Sequence, residues 1–445
     1  MFRITTLLLL LAVTLPAQEG KIITLTWDAV VSQSRQENLS LKIKKLQYEV
    51  QDYKLWDAYA MFLPAARYQA VGVSNLELPT IVFMGQQFTM GTKYTFQHTL
   101  DFTLPLFTGG SRYFNLQLQK TLSRSMLEEL KGKEEEVVLQ ALQAYFGVML
   151  SDGIYKAAGD AITTAEENLR QVQMFYNEGS ATELDLQRAK AMYYSVLPQK
   201  ESAESGKILA MQNLKMLLNI SAEDSVVVPD SLTVKDFMQQ FDQTTLAEFR
   251  KLSLTGRAEL LMVKEQVEAS RQSENLVISS ALPVIALSGN LAHQAFSDDS
   301  RIGPDDYSRS KAITLSVSWS LFEGGRRFIN YQTARLQTEQ AELMQKQTEH
   351  MLSLETGQSY YKWNEAKTNL ISNEESMKQA KESLRLSQLL YSEGMSTQLD
   401  VLNAQLFYQN SKVQYLQGMY MYNISQLQLL RSAGKLFTVW INNER

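Results

Sequence analysis

The 445-residue sequence carries 43 basic and 48 acidic side chains, a formal net charge of −5, and no cysteine. A near-neutral balance without a basic block argues against a nucleic-acid partner, and the missing thiols exclude both disulfides and the lipid-carrying cysteine of a bacterial lipoprotein. The length would allow two or three ordinary domains, but the periodic segments are far longer than those of compact proteins, which favours an elongated architecture.

At the N-terminus a single Arg3 precedes an apolar run from Ile4 to Leu15 and then Pro16-Ala17 before the polar Gln18. This predicts an export signal cleaved near Ala17, too short to span a bilayer as a helix. No later stretch reads as apolar enough for a spanning helix. From about Leu25 to Phe62 the pattern is helical, with Thr26 as the cap and Pro64 as the stop, because the residue before a proline is pushed out of the helical region. A weak strand follows from about Ala65 to Ser74. Beyond Thr92 the period becomes two: Tyr94, Phe96, His98, Leu100, Phe102 and Leu104 alternate with Thr95, Gln97, Thr99, Asp101 and Thr103. After Gly110 the chain turns helical for roughly 65 residues, about 100 Å at 1.5 Å per residue. A helix of that length must lie along neighbours of similar length.

That helix should end at Tyr176-Asn-Glu-Gly179, and a second should start near Ser180 to Thr182, with Glu183 and Asp185 at its positive end. Pro198 should kink or divide the returning helix. Residues 221–245, with Val226-Val-Val-Pro229, read as an ordered connector. Thereafter the pattern repeats at an offset of about 215 residues. Leu106-Phe107-Thr-Gly109-Gly110 is matched by Leu321-Phe322-Glu-Gly324-Gly325, and Gln143-Ala-Tyr145-Phe146 by Gln358-Ser-Tyr360-Tyr361. Tyr176-Asn-Glu-Gly-Ser-Ala-Thr-Glu-Leu-Asp185 is matched by Tyr391-Ser-Glu-Gly-Met-Ser-Thr-Gln-Leu-Asp400. Pro283 opens a second strand pair, near Val284–Ala292 and Ile313–Leu321, around the polar loop Ser297–Asp306. In the last helix Leu399, Leu402, Leu406, Val413, Leu416, Tyr420, Leu427 and Leu430 form a 3-4 seam interrupted by Gln409 and Asn423. The expected organisation is therefore a leader at 1–17, a first unit at 18–220 with its hairpin at about 65–107, the connector at 221–245, a second unit at 246–434 with its hairpin at about 284–322, and a tail at 435–445.

Alternating strands with aromatics near their ends suit either a lipid-facing barrel wall or a soluble sandwich. Four strands cannot close a barrel around polar lumen residues, and open edges are not tolerated in lipid, so several chains would have to complete one barrel together. The order of leader, helix, Leu-Pro, hairpin, Pro-Leu-Phe-x-Gly-Gly, very long helix, Tyr-x-x-Gly-x-x-x-x-x-Asp and helix, run twice, resembles the TolC-type outer-membrane efflux proteins over essentially the whole mature chain. The resemblance implies an α+β membrane protein. Three chains would combine long antiparallel helical hairpins into an α-barrel across the periplasm, continued by a twelve-stranded β-barrel in the outer membrane of a Gram-negative bacterium. It further implies a homotrimer embedded in outer-membrane lipid, a periplasmic adaptor, and an inner-membrane pump of the RND or ABC type that delivers cargo into a passive duct.

In that family the helical tips form the closed end. On this sequence Asp185 matches the tip aspartate of the first hairpin, Tyr391 a tyrosine that bonds to it, and Asp400 an aspartate of the constriction. Tyr176, Gly179, Ser180, Gly394 and Ser396 fall at the tips where the adaptor docks. Pro64, Phe107, Gly109, Gly110, Pro283, Phe322, Gly324 and Gly325 mark the strand–helix junctions. Ser396 stands where some members carry an arginine ion pair, and Asn403 where they carry a second constriction acid. Both tip aspartates also fit plain helix-dipole complementarity. His98, His293 and His350 lack metal-ligand spacing, so neither metal nor cofactor is expected. Gly206-Lys207 lacks the upstream glycine of a phosphate loop, and the chain does not read as an enzyme. Glu134-Glu-Glu136 reads as a solvated helix face. Alternatives to an export duct are a stand-alone porin, a surface adhesin, or a soluble coiled-coil scaffold.

Overall fold

A computed structural model describes residues 22–438; the expected leader and Trp440 of the expected tail lie outside them. The described chain runs β1 (Ile22–Thr24), α1 (Trp27–Glu37), α2 (Leu39–Ala60), β2 (Ala65–Ser74), β3 (Thr80–Phe83), β4 (Gln86–Thr89), β5 (Tyr94–Thr108), α3 (Ser111–Asn177), α4 (Glu183–Leu217), β6 (Ser225–Val227), α5 (Leu246–Gly256), α6 (Ala258–Ser279), β7 (Val284–Ser297), β8 (Tyr307–Ser318), α7 (Arg326–Ser392) and α8 (Gln398–Ser432). The two long helices have 67 residues each, and the two returning helices 35 each.

The expected helix at 25–62 is divided. Thr26 caps α1 by accepting from the Ala29 amide, but Asn38 adopts an extended ψ of 123° and starts α2 by accepting from Leu41 N–H. The Asn38 amide also donates to the Leu217 carbonyl at 2.8 Å, and Gln33 reaches that of Leu218, so the break is fastened to the end of α4. The corresponding break between α5 and α6 falls at Arg257, with ψ 126°. Conversely α4 is continuous through Pro198. The proline deletes one N–H donor, while Met192 and Val196 stay buried against Ala165 and Leu402, and this packing carries the helix past it.

Four antiparallel strands form one sheet in the order β2-β5-β7-β8. The register places Tyr94, Phe96, His98, Leu100, Phe102 and Leu104 on the same face as Leu287, Leu291, Ile313, Leu315 and Val317. The other face carries Arg67, Gln97, Thr99, Asp101, Ser288, Asn290, Thr314 and Ser316, and Asn290 donates to Asp101 at 2.5 Å. Pro105 sits at a bulge, where no ladder donor is required of it. β8 starts six residues earlier than expected and ends at Ser318, because pairing with β7 extends it through the polar Tyr307–Ala312. Trp319 instead donates its indole N–H to the Ala281 carbonyl at 3.0 Å. The β3–β4 hairpin was unforeseen. Its turn has positive φ at both Met84 and Gly85, and methionine gives no such signal.

At each junction two glycines hold the backbone in the left-handed region: φ is +64° and +87° at Gly109 and Gly110, and +61° and +82° at Gly324 and Gly325. A Cβ at Gly109 would also collide with the Ser279 carbonyl oxygen, whereas one at Gly324 would meet open space. The largest core lies midway along the helices. Trp27 of α1, Tyr145 and Phe146 of α3, Leu214 of α4, Leu427 of α8 and the connector residues Val226, Leu232 and Phe237 pack together there, with Leu436 closing it. β1 pairs in parallel with β6, so the start of the described chain is tied to the connector. Tyr145 and Phe146 are each 1% exposed, but Tyr361, the repeat counterpart of Phe146, is 65% exposed. Against expectation, α3 contains an 18-residue window apolar enough to cross a bilayer; just over half of it is buried in the fold, as in a core helix.

The junctions give a differential prediction. Gly324→Ala should cost about 1–2 kcal/mol from the left-handed backbone alone, while Gly109→Ala should cost clearly more through the added collision. Thermal melts of the purified variants check this; equal losses would count against the steric account.

Candidate functional site

The two tips are built alike from local chemistry. At the first, α3 ends where Gly179 takes φ +75°, and Gly179 and Ser180 N–H donate back to Tyr176 and Phe175 carbonyls. Thr182 then caps α4: its hydroxyl accepts from Asp185 N–H, while its own N–H and hydroxyl donate to Asp185 Oδ2 at 3.2 and 2.6 Å. At the second, Gly394 takes φ +72°, and Thr397 donates to Asp400 Oδ2 at 3.0 and 2.6 Å, with Ser396 adding a third donor at 3.2 Å. Both tip aspartates are thus the third-position acids of capping boxes. The Thr397 hydroxyl, its amide and Ser396 hold the Asp400 carboxyl below the usual carboxylate range.

Tyr391 packs against the Val172–Leu186–Ala189 cluster at the first tip, its ring 5.7 Å from that of Phe175. Burial, and secondly the Asp185 charge, raise the Tyr391 pKa. The two residues implied to latch the tip are therefore neighbours within one chain. The Asp185 oxygens are occupied by Thr182 and, at 3.9 Å, Arg188, and no hydrogen bond joins Asp185 to Tyr391 among the described residues. Tyr176, Ser180, Gly394 and Met395 are exposed, and Ser396 is half-buried.

Of the expected α8 seam, Leu402, Leu427 and Leu430 are buried, but near the second tip a neighbouring row takes the inner positions. Leu399 and Leu406 are 45% and 43% exposed, whereas Gln398 and Gln405 are each 1% exposed and find no hydrogen-bond partner. Gln405 and Gln409 border a cavity of about 110 Å³ between α3, α4, α7 and α8. Unpaired buried amides cost about 1–3 kcal/mol each, so this half of the hairpin is held more weakly than the apolar half around Leu427 and Leu430.

A second constellation escaped sequence reading. Arg257, at the α5–α6 break and 2% exposed, donates to both Glu259 oxygens at 2.9 Å, to Glu355 at 3.2 Å and to the Ser432 carbonyl at 3.2 Å. Arg431 of α8 also reaches Glu259 at 3.2 Å. Glu135 of α3 faces this group. The expected solvated face is thus corrected at its centre: Glu134 pairs with Arg35 and Glu136 with Lys133, but Glu135 turns inward. Burial, then the Glu259 charge, push its pKa up to about 7. The only sequence cue was a charged residue at each of five positions that the fold brings together from four helices and one break.

Because the Glu135 pKa is raised on folding from 4.5 to about 7, its contribution to stability is fully present below pH 4.5 and is lost as pH rises through about 7. Glu135→Gln should flatten that part of the melting-temperature profile between about pH 5 and 7 and raise the melting temperature at pH 8. A variant profile parallel to the parent's would show that Glu135 does not titrate in this window.

Comparison with known proteins places the fold. The chain is 24% identical over 343 residues to the outer membrane protein TolC of Salmonella enteritidis, covering 73% of this chain and 66% of that protein. It is 23% identical over 229 residues to the alkaline protease secretion protein AprF of Pseudomonas aeruginosa, covering 51% and 46%. The matches thus span at most about two thirds of these relatives' lengths. Among solved structures, the Campylobacter jejuni CmeC outer membrane channel superposes with a TM-score of 0.78 at 17% identity, covering 92% of this chain and 86% of that one. Residues 30–219 and 250–435, which hold both long hairpins, each match the model for outer membrane efflux proteins, and the chain belongs to that family.

Proposed function

We propose that this chain is the outer-membrane exit duct of a tripartite efflux or type I secretion system, acting as a homotrimer with two repeated units per chain. The observation that carries the reading is the four-stranded sheet with one edge of β2 and one of β8 unpaired, whose apolar face includes Ile313, Leu315 and Val317 at 64–85% exposure. Unpaired edges cannot stand in lipid, where each unsatisfied backbone group costs several kcal/mol. Pairing β8 of one copy with β2 of the next satisfies them, and three copies give twelve strands. The matched helix lengths support the repeat, since equal hairpins on each side let six of them close a second, α-helical barrel below the first.

The duct itself supplies no energy. Cargo would be delivered by an inner-membrane RND or ABC pump through a periplasmic adaptor that engages the exposed tips at Tyr176, Gly179, Ser180, Gly394 and Ser396. Residues 1–17 would direct export, 18–220 and 246–434 would form the two units, and 221–245 with 435–445 would belt the helices at mid-height. Gating rests on the tips. Around a threefold axis three Asp400 carboxylates about 6 Å apart would repel by roughly 1–3 kcal/mol per pair, and the contact of Tyr391 with the first tip would hold that ring shut.

Two measurements test this. With no native cysteine to interfere, Gln69→Cys, on the same face as Ser308, Ser310 and Ala312, combined with Ser308→Cys, Ser310→Cys or Ala312→Cys in turn should yield oxidised dimers and trimers on non-reducing gels; no product from any pair would exclude β2–β8 closure. In planar bilayers, Asp400→Asn should weaken block by divalent cations about tenfold, and Tyr391→Phe should raise the conductance of the closed state. Unchanged currents in both would remove these residues from the gate.

A further inference from the structure

The strands of the four-stranded sheet contain four charged residues, and the register sorts them by face. Arg67 lies opposite Asp101 on the polar face, where Asp101 also accepts from Asn290. Arg309 and Lys311 lie on the other, apolar face, in line with His293, Tyr307 and Leu291. Among the described residues the side chains of Arg309 and Lys311 make no hydrogen bond or ion pair, and no carboxylate stands on that face of any of the four strands. Two cations have therefore been left without counter-charge on the surface that meets lipid.

Their height explains how they are tolerated. Arg309 is about nine residues along β8 from Ser318, which at ~3.4 Å per residue and a tilt of about 40° puts it roughly 23 Å above the strand base. An apolar barrel band is about 25 Å tall, and the cost of Arg or Lys falls from about 2–4 kcal/mol at its midplane to about 0–1 at its edge. Tyr68 and Tyr307 mark that edge. The Tyr68 hydroxyl lies 2.8 Å from His98 Nδ1 and that of Tyr307 3.5 Å from Nε2, with ring centroids 6.2 and 5.7 Å from the imidazole. The three rings form one fixed aromatic block beside the cations. His293, directly opposite His98 in the register, is exposed between that block and Arg309.

We propose that Arg309 and Lys311, with His293 and the Tyr307 hydroxyl beside them, bind the phosphate headgroup of an outer-leaflet lipid, so that each chain carries one anionic-lipid site at the outer rim of its wall. Alternate residues on a strand stand about 7 Å apart, a spacing at which a guanidinium and an ammonium can share one phosphate. The guanidinium fork offers it paired N–H donors. Of the loop acids beyond the rim, Asp298 accepts from Lys93 N–H, Asp299 from Arg301 N–H and Asp306 from Gly303 N–H, and neither these nor Asp305 form an ion pair with Arg309 or Lys311 among the described residues. The inference rests on the reading that the apolar face meets the outer membrane.

The test is lipid retention by the purified full-length assembly, read by native mass spectrometry with bis-phosphorylated lipid A, the same lipid stripped of phosphate, and inorganic phosphate as probes. The parent should retain the bis-phosphorylated lipid roughly tenfold or more better than Arg309→Gln/Lys311→Gln does, and better than it retains the stripped lipid. Arg309→Lys/Lys311→Arg should keep most of that retention, and Arg67→Gln all of it. Equal retention by parent and double variant, or of both lipids, overturns the proposal, and displacement of the lipid by equimolar inorganic phosphate would make the site one for a free anion. If Arg67→Gln alone abolished retention, the polar face would be the lipid face, and the reading of the wall itself would fall.

Discussion

Everything in this chain follows from the rule that a backbone amide in hydrocarbon must find a partner. A four-stranded sheet meets that rule along its three inner seams and fails it at two edges. A soluble protein would cover such edges with a helix or a charged loop. Among the described residues the long helices leave the base of the sheet and none packs over β2 or β8, whose apolar side chains are widely exposed. In the proposed trimer the sheet is a fragment of a closed surface. The glycine pairs at 109–110 and 324–325 are the price of joining that surface to rods, since a strand must become a helix there within two residues.

The helical part is held differently along its length. At mid-height, aromatic and aliphatic side chains from the first helix, the connector and the last helix form a dry core, and a buried arginine binds the break between α5 and α6 to α7 and α8. Toward the tips the packing thins to two small clusters, around Ala165 and around Val172, with unpaired glutamines beside them. The tip turns themselves are self-sufficient, each with its glycine stop and threonine–aspartate box. A rod anchored at its middle and loosely packed at its end is suited to motion at that end.

Local chemistry was legible in the sequence; distant encounters were not. Thr26, the strand at 65–74, the two glycine stops and the Thr182 and Thr397 caps follow from residues within a turn of one another, and a single chain's own order reveals them. Asn38 and Arg257 break helices inside unbroken apolar patterns, because each reaches a partner well over a hundred residues away. Glu135 was misjudged for the same reason: a run of three acids looks wet until an arginine from another helix arrives. In α8 the expected seam holds at Leu402, Leu427 and Leu430 but not at Leu399 and Leu406, beside which Gln398 and Gln405 are buried instead, since the pattern alone could not say which of two adjacent rows the neighbouring helices would cover.

The equal lengths of the paired rods, 67 with 67 and 35 with 35, carry a consequence for how such a chain can diverge. One inserted residue would turn everything beyond it by about 100° and lift it by 1.5 Å, so a deletion or insertion in one arm cannot be absorbed unless the opposite arm or the other half of the chain changes with it. Drift in length is thereby steered into the loops beyond the sheet, and the helices are left to vary only in the identity of their residues.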